Sequence, residues 1–285
     1  GILELGSGAG DLALCRRGAP ASPDAAFERP RALAVTIIAP GAGIFTNGAV
    51  YKELGRGPEF SMEVHGQARA AYDRYPQWFR DGHAAPNLDS FAGDLLETRL
   101  MQRSDCLLVG SRGGQVVLPR VWQELGDAAP PAVVINGGCA MGLPRPVQWP
   151  QNAVTFLLIG GQDNFRGSKS PEEYIADAKS RVPEGNRTTA ILYVSEMPHM
   201  PQSSLLRVAL PHMLRACMIW KGAAPMRSKD ASGEMQALVE SLDKAGNWSG
   251  RLLLTGSRGT WQETAFGQSD MRKKPRLSLA AVGGA

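Results

Sequence analysis

The sequence predicts an α/β fold, a mostly parallel β-sheet flanked by helices. Three observations predict it. Short runs apolar at nearly every position, such as Leu33-Ala-Val-Thr-Ile-Ile-Ala39 and Ala153-Val-Thr-Phe-Leu-Leu-Ile-Gly160, recur along the chain, and such runs mark strands covered on both faces. They alternate with amphipathic stretches of helical period. Thirty-three glycines and 20 prolines in 285 residues supply many turns and argue against long helical arrays.

In chain order the strands are expected at 33–39, 59–65, 105–110, 132–136, 153–160 and 188–194, and the helices between them at 49–54, 88–102, 115–125, 171–181 and 203–220. Asp89 or Ser90 can cap the second helix. Ser170-Pro-Glu-Glu173 opens the fourth with a capping serine, a first-turn proline and two acids, which suit the free N–H groups and the helix dipole. From about Lys221 the alternation is lost. A helix near 233–244 and a strand near 251–255 are expected there, and the end from Gln268 is expected to be disordered. The organisation read from this is an N-terminal extension or fragment over 1–30, one domain over 31–220 and a C-terminal extension over 221–285.

Apolar residues make up 43% and charged residues 20%, a globular composition that excludes a wholly disordered or fibrous chain. The net charge of +4 comes from scattered basic residues. Their one cluster, Met271-Arg-Lys-Lys-Pro-Arg276, reads as a solvated tail, so no nucleic-acid partner is expected. No apolar stretch is long enough to span a membrane. Cys15, Cys106, Cys139 and Cys217 are widely spaced and suggest neither a zinc site nor a disulfide framework, which fits a reducing, cytoplasmic setting.

Cys106-Leu-Leu-Val-Gly-Ser-Arg-Gly-Gly-Gln-Val-Val-Leu118 is a strand running through a Gly-rich turn into a helical pattern. A serine on such a turn stands exposed, and the helix N-terminus behind it stabilises negative charge that develops during attack. The segment resembles the nucleophile elbow of the α/β-hydrolases. It departs from their G-x-S-x-G pattern, because Val109 stands two residues before Ser111 and the glycine is at 110. The frame Gly110-x-Arg112-x-Gly114 would put an arginine at the nucleophile's place. Ser111 is preferred because Ser-x-Gly-Gly keeps the downstream register.

Two further strand ends carry polar groups. The strand 153–160 runs into Gly161-Gln-Asp163, and Tyr193-Val-Ser-Glu-Met-Pro-His-Met-Pro201 brings a histidine onto a Pro-bounded loop. Carboxyl ends of strands are where catalytic side chains sit in open α/β sheets. The order Ser111, Asp163, His199 is that of the α/β-hydrolase triad, so the resemblance spans about 33–220. Of the four histidines, His65 and His83 precede the serine, and His212 lies in an apolar helical stretch and reads as packing or surface. Glu196 is the alternative to Asp163 as orienting acid, and Asp163 itself could instead cap a turn or pair with Arg166 or Lys169.

The resemblance implies a serine hydrolase acting on a carboxylic ester or related acyl bond, with no metal or organic cofactor. It assigns the oxyanion hole to the N–H groups of Arg112 and of Ala42 in Pro40-Gly-Ala-Gly-Ile44. The segment 137–152, where many members insert a cap, is too short for a lid domain. An open site is expected, suited to small or extended acyl substrates, with Trp149, Met141 and Trp78 as an apolar wall. Cys139 is expected to be a small buried residue rather than a nucleophile.

Two other classes remain open. The irregular elbow suits a catalytically silent hydrolase-like scaffold. Gly1-Ile-Leu-Glu-Leu-Gly-Ser-Gly-Ala-Gly10 resembles the first motif of methyltransferases that bind S-adenosylmethionine, although Cys15-Arg-Arg-Gly-Ala-Pro20 breaks the helix that should follow.

Overall fold

A computed structural model describes residues 31–38, 47–65, 100–111, 113–136, 149–222, 231–256 and 260–267, together with 92, 93 and 96. The chain divides into two units, Gly1–Arg31 and Ala32–Ala285. The methyltransferase-like segment, Ala42, His83, Arg112, Cys139, Met141, Trp78, most of 137–152 and the end from Gln268 lie outside the described residues.

The second unit is built on β1 (Leu33–Ile38), α1 (Gly48–Arg56), β2 (Phe60–His65), α2 (Leu100–Arg103), β3 (Cys106–Gly110), a π-helical turn (Gly113–Val117), α3 (Leu118–Leu125), β4 (Ala132–Ile135), β5 (Thr155–Gln162), a 3₁₀ turn (Asn164–Arg166), α4 (Pro171–Lys179), β6 (Thr189–Pro198), α5 (Ser203–Trp220), α6 (Ala231–Ala245), β7 (Gly250–Thr255) and β8 (Trp261–Phe266). The strands form one sheet in the order β2-β1-β3-β4-β5-β6-β7-β8. Pairing is parallel from β2 to β6 and antiparallel for β6–β7 and β7–β8.

The apolar runs bury both faces, as their unbroken hydrophobicity requires. Cys106 and Leu108 of β3 face a core shared with Val50 and Tyr51 of α1, Leu206 and Leu210 of α5 and Leu238 of α6. Leu107 and Val109 face the opposite core with Val121 and Trp122 of α3 and Tyr174 of α4. Each large side chain buried in this way contributes roughly 1.5–3 kcal/mol over its exposed state. Cys106 and Cys217 are buried free thiols in the first of these cores.

The capping box at α4 forms as read: Ser170 Oγ accepts from Glu173 N–H at 3.2 Å and Glu173 Oε2 accepts from Ser170 N–H at 2.7 Å. Three features differ from expectation. The helix expected at 115–125 begins with the π-helical turn at Gly113. Strand β6 runs to Pro198 rather than 194, because β5 bulges after Gly160 and Gln162 pairs with Pro198. The sheet also continues past residue 220. Helix α6 packs on the α5 face, β7 and β8 extend the sheet beyond β6, and the extension expected from 221 belongs to the sheet domain over 231–256 and 260–267. Strand β8 was not expected at all. It is an edge strand, Trp-Gln-Glu-Thr-Ala-Phe, whose mixture of polar and apolar side chains gives no apolar run.

The connections position the site. From β1 the chain goes to β2 on one side, and from β3 to β4 on the other. The carboxyl ends of β1 and β3 therefore flank a topological switch point, where open α/β sheets form their ligand crevice.

Candidate active site

Ser111 follows β3 immediately at this switch point. Its φ of +49° lies in the left-handed region, one of two such non-glycine residues described. An L-residue there costs about 1–2 kcal/mol, and such strain concentrates where a side chain must be aimed. The turn is held by Ser111 N–H donating to Ile135 O at 2.8 Å and Gly114 N–H donating to Ser111 O at 3.0 Å. The π-helical turn beginning at Gly113 is a form frequent beside functional sites. The left-handed turn and its hydrogen bonds fall on Ser111, while Arg112 of the other frame lies outside the described residues.

His199 follows the last residue of β6, and Asp163 stands one residue past β5. Ser111 Oγ–H donates to His199 Nε2 at 3.1 Å, and His199 Nδ1–H donates to Asp163 Oδ1 at 2.9 Å. Both distances lie in the range for proton transfer between positioned groups. A carboxylate only accepts, so it fixes the proton on Nδ1 and leaves the Nε2 lone pair facing the serine.

The carboxylate that meets His199 is Asp163 and not Glu196. Both Glu196 carboxylate oxygens are taken by Ser249, Oε1 by the hydroxyl at 2.6 Å and Oε2 by the N–H at 2.8 Å. Asp163 does cap the turn that follows it, accepting from Phe165 N–H at 2.9 Å, while Lys169 pairs with Asp177 instead. Asp163 is 3% exposed, and its second oxygen accepts from the buried Tyr174 hydroxyl at 2.7 Å. Burial pushes its carboxyl upward. The His199 and Tyr174 hydrogen bonds, the His199 charge and the Phe165 N–H outweigh that and hold it below the usual carboxylate range.

A depressed folded pKa stabilises the protein above the unfolded value, about 3.9, and that contribution disappears as pH falls through the lower folded value. The wild-type chain is therefore expected to lose stability more steeply than Asp163→Asn as pH falls below about 4. Urea midpoints at pH 5 and pH 3 check this, and equal losses in the two proteins would contradict it.

Sequence reading missed three residues here. Asn136, at φ +44°, is 2% exposed. Its Oδ1 accepts from Gly160 N–H at 2.8 Å, and its Nδ2 donates to Pro198 O at 3.1 Å and to His199 O. It thus ties the ends of β4, β5 and β6 together and holds the main chain that carries the imidazole. Its position at the carboxyl end of β4, in a residue type that tolerates the left-handed region, was the available signal. Tyr174 gave none, since a tyrosine in an amphipathic helix reads as core. Phe165 stacks obliquely on His199, with ring centroids 4.4 Å apart.

Compared with protein-family models and with curated proteins, the chain matches none.

Other expected participants are placed elsewhere. Trp149 lines no site wall. It packs edge-on against Trp122 at 5.6 Å in the core, because it lies near the start of β5, at the end of the sheet away from Ser111. His212 bridges α5 and α6: its Nδ1 lies 2.9 Å from Glu234 Oε2 and its Nε2 3.4 Å from Ser241 Oγ. This Ser-His-Glu cluster is poorly placed for attack on a carbonyl. Ser241 lies inside α6, where backbone N–H groups are already bonded within the helix and none is available to an oxyanion. Among the described residues no group of three or more His, Cys, Asp or Glu side chains can hold a metal ion, and no helix is long and apolar enough to cross a membrane.

Proposed function

We propose that the protein is a serine hydrolase of the α/β-hydrolase type that cleaves a carboxylic ester or related acyl bond. The observation that carries the reading is the strained Ser111 at a switch-point strand end, hydrogen-bonded to a histidine that is itself hydrogen-bonded to a buried carboxylate. The order of strands β3, β5 and β6 that present these three groups supports it.

In the proposed mechanism Ser111 Oγ attacks the acyl carbon as its proton passes to His199 Nε2. Asp163 stabilises the imidazolium that forms. The tetrahedral oxyanion would be met by the N–H groups of Arg112 and Ala42, the pair the family resemblance assigns. Collapse breaks the acyl–oxygen bond, and His199 Nε2–H returns the proton to the leaving alcohol. Water, deprotonated by the same nitrogen, then attacks the acyl-serine and releases the acid with the proton restored to Ser111. Every step uses groups of this chain, the ester and water.

Labelling with a fluorophosphonate tests the reading directly, since the serine oxygen displaces fluoride and keeps the phosphonyl group. The wild-type chain is expected to be modified on the Ser111 peptide, read by mass spectrometry, and Ser111→Ala is expected to lose the label. A folded wild-type chain left unmodified would favour the silent scaffold.

A further inference from the structure

Phe165 is an exposed large apolar side chain, 43% accessible, in a protein whose other described aromatic rings are mainly in the cores. Its main chain and its ring do separate things. The N–H donates to Asp163 Oδ1 and so fixes the 3₁₀ turn. The ring is thereby directed onto the His199 imidazole, 4.4 Å between centroids and tilted by 57°. An aromatic ring half in water beside the imidazole offers apolar surface that a bound molecule can cover.

Which part of a substrate would cover it follows from the mechanism. The leaving oxygen takes its proton from His199 Nε2 and must come within about 3 Å of that nitrogen. The group attached to that oxygen then stands beside the imidazole. The acyl chain hangs from the carbon bonded to Ser111 Oγ. Resting on the serine hydrolase reading, we propose that Phe165 is a specificity-determining residue that seats the alcohol portion of the ester, and that the protein acts on esters of apolar, ring-bearing alcohols in preference to those of small alcohols.

The test compares benzyl acetate with ethyl acetate, which share an acyl group, using the full chain and Phe165→Ala and Phe165→Leu. The ratio of kcat/KM for benzyl over ethyl is expected to exceed one in the wild type, to fall about tenfold in Phe165→Ala, and to fall less in Phe165→Leu, because apolar contact of this size discriminates by one to two orders of magnitude. The preference between ethyl acetate and ethyl butyrate is expected to stay the same in all three. Fluorophosphonate labelling of each variant reports the state of Ser111 and His199 independently. A benzyl-to-ethyl ratio unaltered by the substitution, an altered acyl preference instead, or labelling without turnover of either acetate would overturn the role of Phe165 while leaving Ser111 as nucleophile. No labelling and no turnover in the wild type would overturn both.

Discussion

Replacing Ser111, His199 or Asp163 is expected to lower kcat on an ester by a factor on the order of 10³ or more, and replacing Ser111 and His199 together to cost no more than the worse single change. The three side chains form one chain of hydrogen bonds, 3.1 Å and 2.9 Å long, and each link is useful only while the other exists. Without the imidazole, the hydroxyl is a weak nucleophile. Without the hydroxyl, the imidazole has no proton to take. Asp163→Asn keeps the shape but offers an amide that can donate to Nδ1, which favours the tautomer with its proton on Nε2, facing the serine. The non-additivity separates this expectation from a general loss of stability, since independent destabilisations add. Steady-state rates on p-nitrophenyl acetate, with urea unfolding of each variant, make the measurement. Turnover of Asp163→Asn equal to wild type would remove the carboxylate from the mechanism, and additive losses for the double variant would remove the coupling.

Gly160→Ala is expected to destabilise the protein by about 3 kcal/mol or more, a core overpacking cost, and to lower the melting temperature by roughly 6–12 °C. A Cβ at Gly160 would lie 2.2 Å from Met197 O and 2.9 Å from Pro198 O. Both are backbone atoms of the parallel neighbour strand and cannot rotate away. The bulge after Gly160 brings β6 this close, and Gly160 N–H is the donor to Asn136 Oδ1. Pushing Met197 and Pro198 away therefore also moves His199, and a displacement of 1 Å at a reacting group can cost about 10²-fold in rate. Gly48→Ala, where a Cβ meets nothing within 4 Å, is the control and is expected to leave both properties nearly unchanged. Calorimetric melting and fluorophosphonate labelling rates check the pair. A Gly160→Ala protein as stable and as reactive as Gly48→Ala would show that β5 and β6 can separate at no cost.

The strands that are apolar on both faces were legible because their signal is local. β1, β3 and β5 each stand out from their flanks, and the capping box of α4 lies within four consecutive residues. The same logic explains what was missed. β8 and the last four residues of β6, Ser195–Glu–Met–Pro198, are strands through pairing with a neighbour, and no apolar run announces them. The sheet runs past the boundary expected near 221 for a related reason: α6, β7 and β8 complete layers whose other members lie before residue 220.

At the site, the sequence by itself determined the candidates and their order: a serine, an acid and a histidine, each following a strand. Strand ends in a parallel sheet share one edge, so that much is a matter of counting elements. Only the tertiary structure brought His199 to Ser111 and to Asp163 rather than to Glu196, and put Trp149 in the core. It also brought in Asn136, Tyr174 and Phe165. These choices rest on hydrogen bonds between groups 36 and 88 residues apart, Asp163 with His199 and Ser111 with His199. Their partners are set by sheet order, register and a bulge, and those are properties of packed strands, to which no single segment of the chain contains the answer.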